Sequence, residues 1–266
     1  MRIHRLALIL AAALLVGACS TDQRTDSAGG SGDARVGQLM RVAEGSSQAG
    51  DDIAAADLYS RASRIAPEDP TPLIGLGRSL RRLGQYDAAR SAYRAALDLT
   101  PEDTDARYGL GLTLLRLNIP GEAVSHLDAA AKARSGDPAI LNALGVARDL
   151  TGAHAEAQTV YLSGLQAVPD DPALNNNLAL SLALGGLFDA ATDLMKELIA
   201  QPSASRRDRQ TLALIHALAG DLDAAERVAS DDLSGAELSQ NIRFYRALQT
   251  LGPEARARAV LLGSIG

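Results

Sequence analysis

The feature that most constrains this chain is a period. In Pro70 to Asp103, PTPLIGLGRSLRRLGQYDAARSAYRAALDLTPED, apolar residues recur three and four apart in two runs, one on each side of Gly84. Each run makes one apolar stripe on a helix, so the stretch predicts two helices joined by a turn, with Gly84 ending the first and Pro101 stopping the second. Gly77, Ala89 and Ala96 are small enough to let those helices approach closely. Moving the window by 34 residues, with no insertion or deletion, gives further unit starts at Val36, Thr104, Pro138, Pro172 and Arg206.

The register holds in detail. The second-helix alanine recurs as Ala55, Ala89, Ala123, Ala157, Ala191 and Ala225, and the large residue four positions on as Tyr59, Tyr93, Leu127, Tyr161 and Met195, with Ala229 breaking the pattern. A helix pair of this size cannot bury its apolar face alone, so such units stack. Trp is absent and aromatics are only 3% of the chain, so the helices must pack through small residues. The spacing of Leu73, Leu76, Gly77, Leu80, Gly84, Tyr86, Ala89, Tyr93, Ala96 and Pro101 resembles the tetratricopeptide repeat. That resemblance implies an all-α tetratricopeptide-repeat solenoid of about six helix-turn-helix repeats.

Both ends depart from the period. Arg2, His4 and Arg5 precede an apolar run, Leu6 to Val16, too short to span a bilayer, and a small-residue cut site follows. Val16-Gly17-Ala18-Cys19 resembles the lipobox of bacterial lipoproteins, which implies cleavage before Cys19 and lipidation of that residue; the alternative is an ordinary secretory signal. The resemblance further implies a lipid-anchored protein of the outer membrane facing the periplasm, because Ser20 is not the Asp of inner-membrane retention. The expected organisation is a signal peptide at 1–18, a lipidated Cys19 with a Gly/Ser/Thr/Asp-rich flexible linker at 19–35, the array at 36–234 and C-terminal capping helices at 235–266. Gly45-Ser46-Ser47 weakens the first helix of the first repeat, whose second helix is N-capped by Asp51 or Asp52. The capping helices are drawn at Gly235 to Leu251 and Pro253 to about Leu262. The stripe Ile242, Tyr245, Leu248 and Leu251 is expected to cover the sixth repeat.

Little in the chain suggests chemistry. His126, His154 and His216 lie in different repeats without acidic neighbours at metal-ligand spacing; the first two are expected exposed and the third partly buried. GxSxG, a Gly-rich phosphate loop and a cysteine nucleophile are absent from the sequence, so neither a catalytic role nor a cofactor or metal is expected, and no small-molecule substrate. The net charge of −6 becomes about −8 once Arg2 and Arg5 leave with the signal, which disfavours nucleic acid as a partner.

What remains is binding. By the tetratricopeptide-repeat resemblance, first helices line a concave groove. The groove positions are Ile74, Arg78, Arg81 and Arg82 in the second repeat, and Tyr108, Leu112, Leu115 and Arg116 in the third. The fourth supplies Asn142, Val146 and Asp149, and the fifth Asn176 and Leu180, with Asn177 beside them. The arginines form a basic mouth for a carboxylate or acidic segment, and the Asn-studded apolar floor suits a peptide backbone.

A narrower resemblance lies in the last third. The block Asn175 to Leu233, followed by Asn241-Ile242-Arg243-Phe244-Tyr245-Arg246-Ala247-Leu248, resembles the TadD lipoproteins of the tight-adherence (Flp) pilus assembly system. It implies a non-enzymatic scaffold that assists localisation or assembly of the pilus secretin, with the secretin or other pilus assembly components as protein partners and a membrane held through the lipid anchor. A pilotin or assembly factor for another envelope machine, whether another pilus or secretion system, β-barrel insertion or cell-wall assembly, is the alternative.

Overall fold

The computed structural model of the chain describes residues 24–263. They form helices only. In chain order these are α1 (Arg24–Gln48), α2 (Asp52–Ile65), α3 (Pro70–Arg82), α4 (Tyr86–Leu99), α5 (Thr104–Arg116), α6 (Pro120–Ala133) and α7 (Pro138–Leu150). Then follow α8 (His154–Ala167), α9 (Pro172–Leu184), α10 (Phe188–Ile199), α11 (Arg206–Leu218), α12 (Leu222–Ser230), α13 (Gly235–Thr250) and α14 (Pro253–Leu262). Five predicted unit starts, Pro70, Thr104, Pro138, Pro172 and Arg206, are each the first residue of a helix. Cys19 and the expected signal peptide lie outside the described residues.

Local chemistry explains the boundaries. Asp69, Asp103, Asp137 and Asp171 each accept a hydrogen bond from a backbone N–H two or three residues on, at 2.7–3.2 Å, satisfying donors that a helix start leaves free. Ser205 and Asp208 form a capping box at the start of α11. Asp51, rather than Asp52, caps α2. The turn between the two helices of each repeat passes through one residue of positive φ, glycine at 50, 84, 152, 186 and 220 and Asn118 in the third repeat, as a left-handed helix terminus requires.

The packing rule is small against large. Tyr93, 2% exposed, is wedged between Gly77 of its own repeat and Gly109 of the next; a Cβ at those glycines would stand 2.9 and 2.3 Å from the ring. Ala55, Ala89, Ala123, Ala157, Ala191 and Ala225 are all fully buried, as are Leu127, Tyr161 and Met195 at the large position. Odd-numbered helices α1 to α13 touch one another in series, whereas consecutive even-numbered helices make no comparable contact. The odd helices therefore form the inner, concave face of a curved array.

Both ends correct the sequence reading. At the N-terminal end α1 begins at Arg24, so it takes in much of the expected flexible linker at 19–35, and it runs unbroken through Gly45-Ser46-Ser47. Burial of Val36, Leu39, Ala43 and Ser47 against α2 and its neighbours supplies the helix nucleus, after which each added residue costs only propagation. At the C-terminal end α13 behaves as expected: Ile242 and Tyr245 pack against Ala213, Ala217, Ala225 and Ala229 of the sixth repeat. The last helix does not cap that face. α14 turns back and lies on α7 and α9, both inner helices, and so occupies part of the concave groove.

Candidate functional site

The open part of the concave face is a pocket of about 400 Å³ between α5, α7 and the start of α9. Tyr108, Leu112 and Leu115 form one wall and Asn142 and Val146 the other; Asp171 and Ala173 close the end. The helical period explains why they meet: 108, 112 and 115 share one face of α5, and 142 and 146 stand one turn apart on α7. Five predicted groove residues, Tyr108, Leu112, Leu115, Asn142 and Val146, are thus brought together. Asn177 donates to Asn142 Oδ1 at 2.7 Å, so it orients the wall. Burial raises the Tyr108 phenol above its ordinary range, helped by Asp137 and opposed by Arg81 and Arg134, so the hydroxyl stays protonated near neutral pH and can donate. Arg81 stands beside this wall with its Nε buried and unpartnered.

The other predicted groove positions are spent on structure. Ile74 is buried in the core cluster with Tyr93 and Leu110. Arg82 pairs with Asp52 at 2.9 Å and bonds Ser47, while Arg78 stands 4.0 Å from Glu44. Arg116 lies over the Tyr86 ring, 5.4 Å from its centroid, and donates to its hydroxyl at 3.1 Å. Two arginines of the basic mouth are therefore paired with acids of α1 and α2 and a third is held by Tyr86, which leaves Arg81 beside the pocket. Asn176 is 1% exposed and serves as a strut between repeats: its amide donates to Pro172 O at 2.8 Å and to Asp208 Oδ1 at 2.6 Å, and its carbonyl accepts from Thr211. Leu180 is buried in the cluster that includes Ala259 of α14.

Asp149 does not face the groove either. It is fully buried, where Oδ1 accepts from Ser181 at 2.7 Å and meets His154 Nδ1 at 2.8 Å, and Oδ2 accepts from Tyr161 at 3.0 Å. Burial pushes its carboxyl up, and the three bonds pull it back only in part. His154, expected exposed, is held in this knot with a side chain 20% exposed. Sequence reasoning missed the knot because its four members lie on α7, α8 and α9; an Asp at the slot held by Arg81 and Leu115 elsewhere was the one available signal. His126 and His216 are half-buried, and burial lowers both imidazoles. No cluster of three metal-ligating side chains occurs among the described residues, and none of their helices is long and apolar enough to cross a membrane.

An apolar, concave pocket on inner helices of a repeat array is the geometry of a protein-binding scaffold. Residues 74–138 and 120–172 match the sequence profile described as tetratricopeptide repeat. Residues 74–172 match tetratricopeptide repeats, and the array as a whole has that fold. No curated protein matches the chain. Among solved structures, a tetratricopeptide repeat protein from Parabacteroides merdae is similar at TM-score 0.69 and 16% identity, over 86% of this chain and 91% of that one. PilW, described as a widely conserved type IV pilus biogenesis factor, is similar at TM-score 0.67 and 20% identity over 78% and 98%. PilF of Pseudomonas aeruginosa is similar at TM-score 0.60 and 15% identity over 86% and 99%. At these identities the likeness is one of fold. Tetratricopeptide repeats are a protein-interaction fold, and this one presents its open pocket between the third and fifth repeats.

Proposed function

We propose that this chain is a non-enzymatic adaptor that captures a protein segment on its concave face during assembly of a Flp (tight-adherence) pilus, acting on the secretin or another assembly component. The observation that carries the binding reading is the pocket between α5 and α7, apolar on both walls and furnished with Asn142 and the Tyr108 hydroxyl. The sequence block Asn175 to Leu248 that resembles TadD supports the pilus system, and Cys19 supports attachment to the periplasmic face of the outer membrane. A second reading, service to a type IV pilus, is favoured by the fold likeness to PilW.

Magnitudes explain why a tether belongs in this mechanism. The pocket holds about two large side chains, each contributing roughly 1.5–3 kcal/mol when buried. That is millimolar to tens of micromolar binding before ordering costs. A lipid on Cys19 that keeps partner and groove on one membrane supplies effective concentrations on the order of millimolar, which is what such a site needs. The test is the amount of assembled secretin multimer in outer-membrane fractions from cells carrying Leu112→Asp with Val146→Asp, beside Cys19→Ser. Loss of multimer in both is expected. Undiminished multimer with a folded pocket variant sinks the reading, and an effect on type IV pili alone selects the second one.

A further inference from the structure

The last helix sits where a ligand would. α14 contacts the inner helices α7 and α9, so the groove beyond the open pocket is already filled by a helix of this chain. Ala257 and Ala259 are 3% and 1% exposed although two residues apart on a helix place them about 200° apart around its axis. Burial on two opposed sides means that α14 lies in a trough instead of resting on a flat face. Alanine is what such a trough admits, because a small side chain lets three helices approach together. One turn on, Leu261 packs against both the cluster of repeats two to four and that of repeats five and six, which bridges the two halves of the floor.

The attachment is apolar throughout. Among the described residues α14 makes no ion pair. Its side-chain hydrogen bonds run from Arg256 to Leu248 O and Leu251 O, both in the adjoining end of α13 and the link, and none reaches α7 or α9. The fit is also incomplete: a gap of about 300 Å³ remains between Glu254 and Arg258 of α14 and the turns at Asn118 and Thr151. The trough and the open pocket share one supporting core, since Leu115 of the pocket wall belongs to the cluster on which Leu261 and Leu262 pack.

From these observations we infer that the trough beneath α14 is a binding seat for a short amphipathic helix of a partner protein, with alanines at closest approach and two leucines a turn on, and that α14 is its displaceable occupant. The inference rests on the concave face being the binding surface, and it names the kind of segment bound: a short helix lying in the trough by its apolar face. A partner whose contact face carried charges would find no counter-charge in the seat and would be rejected.

The test uses the full chain and a labelled peptide of residues 252–263, which carries the α14 pattern. Fluorescence anisotropy compares the wild type with the Ala257→Glu, Ala259→Glu double variant, in which α14 is expelled from the trough. The double variant should bind the peptide at least tenfold more tightly than the wild type, and a peptide carrying the same two glutamates should not bind. Equal or absent binding by a double variant with native helical content overturns the inference. Should that variant fail to fold, hydrogen exchange on the wild type decides: excess peptide must accelerate exchange of the α14 amides at least tenfold without changing those of α9, and no acceleration overturns it. Concentration-dependent dimerisation with α14 exchanged between copies would assign the seat to a second copy and overturn it also. Peptide binding by the double variant, with secretin assembly untouched by Leu112→Asp and Val146→Asp, would leave the seat standing and remove only the pilus reading.

Discussion

The two ends of the array are closed in opposite ways. At the N-terminal end α1 is pinned by polar contacts: Tyr59 donates to Glu44 at 2.8 Å, and Arg82, itself paired with Asp52 of α2 at 2.9 Å, bonds Ser47. At the C-terminal end α14 holds the groove by apolar contact alone. Directional bonds between charged groups specify one geometry and are costly to break singly, whereas apolar contact is non-directional and available to any surface of the right shape. A terminal helix held in the first way is a fixed part of the scaffold. One held in the second way is exchangeable, and it lies on the face where exchange matters.

The comparison can be broken in four places. Tyr59 is 3% exposed and its ring stands against Gly75 of the next helix, so Tyr59→Ala should cost about 3–5 kcal/mol, read as a lowered urea midpoint, with α1 and α2 losing exchange protection first. Leu261→Ala, in a half-buried side chain, should cost less than about 2 kcal/mol and change protection in α14 alone; a global loss would make α14 part of the core. Arg82→Ala should cost about 1 kcal/mol at low salt. The same penalty should shrink in about 1 M NaCl, where α14 protection is unchanged because nothing ionic holds it.

Acid gives the smallest effect. The hydrogen bond from Tyr59, then that from Gln48, holds the Glu44 carboxyl below its ordinary value of 4.5, with Arg78 and Arg82 also lowering it. A lowered folded value means that the stabilisation is complete above pH 4.5 and is lost as pH falls through the folded value. Because Glu44 is partly solvent-exposed, the loss should be well under about 1 kcal/mol. It should appear as faster exchange in α1, disappear in Glu44→Gln, and leave α14 unaffected. The phenol partner reports the same contact, since burial and then Glu44 push Tyr59 up to about 12.

Also instructive is the triple replacement of Arg78, Arg81 and Arg82 by Glu, which reverses the charge of the expected basic mouth. In the structure Arg82→Glu would set a second carboxylate against Asp52, and Arg78→Glu would do the same against Glu44, unclipping α1. Leu112 and Val146 are the sharper probes because their side chains face the pocket and hold no neighbouring helix by charge.

Most of the fold was legible. Helix starts, the aspartate caps, the positive-φ slot and the small-against-large pairing follow from interactions within a unit or with the next one, and the 34-residue period repeats each of them. Half of the pocket was legible for the same reason: Tyr108, Leu112, Leu115, Asn142 and Val146 occupy inner-face positions that the period marks. The period could not say which inner-face residue is free. Arg82 finds Asp52 in the preceding repeat, and Asn176 finds Asp208 and Thr211 in the following one, because side chains at those heights point at each other and each exchanges water for a charged or polar partner. Asp149 reads as a groove residue until its three donors close around it.

By itself, then, the sequence determined the repeat, its helices, its caps and the face that lines the groove, since all of these are set by near neighbours and repeated often enough to be read. Only the tertiary structure decided how the ends close. The placement of α14 on α7 and α9, far away along the chain, depends on shape and apolar burial between segments that share no period, and non-directional contact leaves no pattern in the sequence to announce it.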